Sequence, residues 1–117
     1  MAYYRDHTEY CYSRFTIPGM ENIGWLENGH SFPVARPSDE TLDQLWELCP
    51  ASVVMMRGAH PCDLCVPRTF GRAERGGTKL VLGFAEIRVF SPDGRIYAAP
   101  NMIYHYVEAH HYRPRAS

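Results

Sequence analysis

Long apolar runs are missing from this chain. No stretch approaches the ~20 apolar residues of a membrane helix. The polar start Met1–Tyr10 also lacks a signal-peptide core, so the expectation is a soluble, cytoplasmic protein with no membrane partner. Charge of one sign is equally scarce. A formal net charge of −1 gives no broad attraction to phosphate backbones, and no nucleic-acid partner is expected. Cysteine is limited to four residues, and without an export signal these read as reduced thiols or metal ligands rather than a disulfide framework. Internal repeats and low-complexity linkers are absent, as are a Walker loop, G-x-G-x-x-G, G-x-S-x-G and H-E-x-x-H. What remains is ordinary globular composition, 45% hydrophobic and 21% charged, over 117 residues. That length suits one domain spanning residues 1–117 and a core that needs no staples.

The chain alternates strand-like and helix-like segments. Tyr10–Ile17 is aromatic and β-branched and ends at Pro18-Gly19, the pattern of a short strand. Asn28-Gly29 is a tight-turn signal between Ile23–Leu26 and the extended piece after His30. A helix is predicted after Pro37, with Ser38 as cap, Asp39 and Glu40 in the first turn and Pro50 as stop. Its stripe of Leu42, Leu45, Trp46 and Cys49 reads as core, with Leu45 and Trp46 costly to truncate if buried. Val53–Met56 suits a buried strand, and the Gly- and Arg-rich Arg68–Lys79 suits a mobile polar loop. Leu80–Phe90 reads as a strand with a bulge at Gly83, turning at Ser91-Pro92-Asp93-Gly94 and returning through Arg95–Ala98. Asn101 then caps a second helix that Pro114 ends. Hairpin chemistry without long crossovers predicts an α+β fold with a mainly antiparallel sheet, two helices and a Cys/His metal-binding loop.

That loop is the sharpest chemical signal. In His60-Pro61-Cys62-Asp63-Leu64-Cys65 two thiols stand three positions apart, a spacing that turns both sulfurs toward one point. Zinc is the cofactor this donor set suggests, with four ligands if the site is structural. Cys62 and Cys65 are the first two, and His60 is near enough to be the third, although Pro61 restrains its geometry. The fourth comes from His30, His105, His110 or Cys49. On an intact helix His105 and His110 lie about 140° apart, which argues against both binding one ion and favours His30 and His105. The other reading of Cys49, and of Cys11, is simple packing.

The blocks Gly24-Trp25-Leu26, His30 with Phe32-Pro33, His60-x-Cys62-x-x-Cys65, Glu86-Ile87-x-Val89, Tyr97-Ala98-Ala99-Pro100 and His105-Tyr106-Val107-x-x-His110 carry a resemblance. From Tyr3 to Pro114 the chain looks like a family of small uncharacterised bacterial proteins. That resemblance implies a bacterial, soluble, single-domain protein and no particular activity. It adds weight to His30, His60 and His105, which fall within its blocks; metal binding is read from the residues alone.

Three functions are consistent with these residues. The first is a zinc-stabilised binding module acting on an unknown protein or small-molecule ligand. The second is a metal-dependent enzyme built around His105, His110 and Glu86. The third is a thiol-redox protein using Cys62 and Cys65, disfavoured because no helix begins at the pair to lower a thiol pKa.

Overall fold

Ser38 does what its position predicts. Its hydroxyl accepts the Thr41 N–H at 3.1 Å and opens helix α1 (Asp39–Leu48), which closes in a 3₁₀ turn at Cys49–Ala51 containing Pro50. In the computed structural model the described residues are 3–10, 19–53, 61–67, 69–91 and 93–113. The strand expected over Tyr10–Ile17 beyond Tyr10, all of Val53–Met56 beyond Val53, and Cys11, His60 and Pro114 lie outside them.

The remaining elements are β1 (Glu21–Asn22), β2 (Pro61–Cys62), β3 (Thr69–Phe70), β4 (Arg72–Arg75), β5 (Thr78–Val81), β6 (Glu86–Phe90), β7 (Ile96–Pro100) and α2 (Ile103–His110). One sheet has the order β1-β7-β6, with β1 parallel and β6 antiparallel to β7. The pairs β2–β3 and β4–β5 are separate antiparallel ribbons. The architecture is therefore α+β with mostly antiparallel pairing, as the turn chemistry predicted.

The β6–β7 hairpin follows its sequence closely. Gly94 N–H donates to Ser91 O at 3.0 Å and Ser91 N–H to Arg95 O at 2.9 Å, which sets Phe90 opposite Ile96 and Ile87 opposite Ala99. Because side chains alternate along a strand, Ala98 and Ala99 enter different apolar clusters on the two faces of the sheet. Ile87, Ala99, Met102, Ile103, Tyr106 and Val107 form one, against both helices; Tyr10, Met20, Trp25 and Ala98 form the other. Trp25 is fully buried and donates its indole N–H to Ala98 O at 3.0 Å. Cys49 packs in the larger cluster, where burial pushes its thiol up to about 11.

Several expectations change. No residue of α1 is fully buried; Leu42, Leu45 and Trp46 are half-covered and pack on the rim of the core. A ten-residue helix on the outside of a small sheet has only one flank to bury, so the heaviest packing passes to Trp25, Tyr10, Tyr104 and Tyr112. Of the loop expected over Arg68–Lys79, Arg68 lies outside the described residues and the rest is largely strand: β3 and the hairpin β4–β5. Gly76 and Gly77 adopt φ of 55° and 82°, supplying the two left-handed residues of a tight hairpin turn that places Arg75 opposite Thr78. Leu80–Phe90 is not one strand: Gly83, at φ 91°, breaks it between β5 and β6. Asn101 does not cap α2. Its side-chain oxygen accepts the Gly83 N–H at 2.7 Å and its amide donates to Ser52 Oγ at 3.3 Å, so it ties that break to the helix entrance. The Asn28-Gly29 turn is present, closed by His30 N–H to Glu27 O at 3.3 Å, but it joins no pair of strands.

Candidate metal centre

Cys62 ends β2 and is fully buried, while Cys65 lies three residues on, half-exposed in the loop that leads back to β3. The pairing of Cys62 with Thr69 fixes the base of this loop. Within it, the backbone N–H groups of Leu64 and Cys65 are directed at the Cys62 sulfur. This is the local fold that a C-x-x-C turn needs to stabilise a thiolate, since N–H dipoles favour the anion.

The other half of the centre stands on α2. His105 sits in the helix and His110 is its last residue. The chain leaves through His111 in the left-handed region (φ 53°), with the His111 and Tyr112 N–H groups both donating to Tyr106 O. The exit is then pinned. Ala35 N–H bonds His111 O and Arg113 N–H bonds Pro33 O, both at 2.9 Å, and the Tyr112 hydroxyl donates to Asp6 Oδ2 at 2.7 Å.

Four donor atoms converge. His110 Nε2 is 3.4 Å from Cys62 Sγ and 3.5 Å from Cys65 Sγ, and His105 Nε2 is 3.3 Å from Cys65 Sγ. All four lie within 4.8 Å of one another. A tetrahedral zinc with ordinary Zn–S and Zn–N bonds sets sulfur and nitrogen about 3.5 Å apart, so the spacing fits an ion at the centre. The same contacts serve as thiol–imidazole hydrogen bonds between the unmetallated side chains.

The electrostatics suit neutral apo side chains. Burial pushes the Cys62 thiol up to about 11, against the lowering effect of the two N–H groups. Burial, then the neighbouring His110, holds His105 below the ordinary histidine range, and burial alone does the same to His110. The imidazoles are thus unprotonated near neutral pH, the form in which they bind metal. A divalent cation with two thiolates and two imidazoles carries no net charge, the state a half-buried site tolerates best.

The predicted residues divide clearly. Cys62, Cys65 and His105 come together. His30 does not join them: its ring stacks on Tyr3 at 3.8 Å between centroids and lies 3.8 Å from Glu27, half-exposed. His110 takes the fourth place, contrary to the argument from helical azimuth. The two histidines are about 7.5 Å apart along the axis, but His110 is the last residue of the helix, and the two rings meet edge-on at 5.1 Å. Azimuth measures where Cβ points; the reach of an imidazole was the missing signal. Glu86 is elsewhere, fully buried, accepting the Tyr10 hydroxyl at 2.8 and 3.0 Å and pairing with Arg88 at 2.7 Å. Glu108 accepts the Tyr104 hydroxyl at 3.2 Å. Neither carboxylate belongs to the cluster.

Residues 2–117 match a family described as a domain of unknown function, DUF7919. The chain belongs to the DUF7919 family. Neither the curated proteins nor the solved structures compared with it contain a match. Among the described residues of this DUF7919 chain, no helix is long and apolar enough to cross a membrane.

Proposed function

We propose that this DUF7919 domain is a zinc-stabilised binding module whose Cys62, Cys65, His105 and His110 hold one structural zinc ion. The observation that carries the reading is the convergence of four donors of two kinds from two elements far apart in sequence. Two sulfurs and two imidazole nitrogens in tetrahedral spacing suit zinc, and four protein ligands fill the coordination shell as structural sites do. Such an ion clamps the β2–β3 loop to α2, joining two parts of the chain that share no strand pairing. The enzyme reading loses its general base, because Glu86 is committed to Tyr10 and Arg88. In the metal-free form burial holds the Cys62 thiol protonated, which disfavours Cys62 as the attacking thiol of a redox pair.

Elemental analysis of the purified protein tests the proposal. About one zinc per chain is expected, falling to a small fraction in Cys62→Ser. A metal-free wild type, or a Cys62→Ser protein that keeps its zinc, overturns it. The ligand that the module binds is an unknown protein or small molecule.

A further inference from the structure

We infer that the same centre is an oxidant-responsive clamp, in which a peroxide converts Cys62 and Cys65 to a disulfide and expels the ion. The inference rests on the zinc reading above. It starts from the unequal surroundings of the two sulfurs. Cys62 is fully buried and belongs to the main apolar cluster. Cys65 is half-exposed and lines a surface depression with Glu27, Asn28, Asp63, Val66 and Pro67. Beyond it the loop is open to solvent, with Val66 97% exposed. A small oxidant therefore meets Cys65 first, while Cys62 stays within 4.8 Å as the resolving thiol.

The chemistry closes without a further partner. The Cys65 thiolate attacks one peroxide oxygen; the O–O bond breaks and hydroxide leaves, taking up a proton to become water. The Cys62 thiolate then attacks the Cys65 sulfur; the S–S bond forms, the S–O bond breaks, and a second hydroxide leaves as water. Two sulfurs each lose one electron, hydrogen peroxide gains two and two protons are consumed. What remains for the ion is a pair of neutral, half-exposed imidazoles, His105 and His110, without the anionic ligands that balanced its charge. The ion leaves, and the loop between β2 and β3 is no longer tied to α2. Because the loop carries its exposed residues after Cys65 and its anchored residue at Cys62, the movement falls on residues 63–67.

The test treats the isolated zinc-loaded protein with hydrogen peroxide. Zinc release is followed with a chromogenic chelator, and the cross-link by intact mass and peptide mapping. One zinc is expected to leave per Cys62–Cys65 disulfide, with a mass loss of about 2 Da. Dithiothreitol with added zinc should restore the metal, and brief alkylation of the zinc form should label Cys65 ahead of Cys62. Retained zinc, or loss of zinc with sulfinic and sulfonic products and no Cys62–Cys65 linkage, overturns the inference. Protein that contains no zinc before treatment overturns the underlying metal reading instead, and the elemental measurement separates the two failures.

Discussion

At the scale of single residues, Cys62 controls how the centre responds to pH. Its thiol is held protonated by burial, so a metal ion must displace that proton. The two histidines already favour their neutral forms and offer less proton competition near neutral pH. Zinc affinity should therefore rise by at least about tenfold per pH unit between pH 6 and 8, as one or more protons leave on binding. A competition titration against a chelator of known pH behaviour would read this; a flat profile would mean that Cys62 is no ligand. Packing gives a second residue-scale expectation. Trp25 is fully buried and hydrogen-bonded to Ala98, whereas Trp46 is half-covered, with Tyr104 on its edge and Arg75 over its ring. Replacing Trp25 with Ala should cost about 3–5 kcal/mol, and Trp46 roughly half as much. Parallel urea melts that rank Trp46 first would restore the sequence-based view of α1 as the core helix.

At the scale of elements, local chemistry explains most of what the sequence made legible. Helix α1 begins at its serine cap and ends at its proline, and the β6–β7 hairpin turns where Asp93-Gly94 allows. Those signals act within a few residues and need no tertiary information. The β4–β5 ribbon was hidden because its glycines and charges match a loop as well as a turn. Pairing of Arg72–Arg75 with Thr78–Val81 decides between them. Asn101 was misread for the opposite reason: a good cap residue found better partners at Gly83 and Ser52, far away in sequence. Gly24 shows how tightly such long-range contacts are set. It has φ 74°, its N–H donates to Asp6 at 3.1 Å, and a Cβ there would lie 2.8 Å from Ile103 Cδ1 at the start of α2. Gly24→Ala should destabilise the fold by about 1–3 kcal/mol. A thermal melt unchanged from wild type would show that the segment and the helix do not touch in this way.

At the scale of the whole molecule, the centre joins parts of the chain that share no strand pairing. C-x-x-C was readable as half a site because both of its ligands lie in one short loop. The histidine half required knowing that α2 lies over that loop, and the choice of His110 over His30 required the reach of its ring. Two substitutions separate these choices. His110→Ala should lower retained zinc severalfold and reduce the thermal midpoint, while His30→Ala should leave both near wild type. Chelation should shift the wild-type midpoint down and leave the His110→Ala midpoint almost unmoved; equal shifts in both proteins would remove His110 from the ligand set.

The Asp6 carboxylate receives the Tyr112 hydroxyl on one oxygen and the Gly24 N–H on the other, and Tyr112 follows His110 by two residues. The Asp6 side chain is thereby coupled to the exit of α2 just beyond His110. A lesion at Asp6 should consequently be heard as leakage of metal, although Asp6 is not among the four clustered donors.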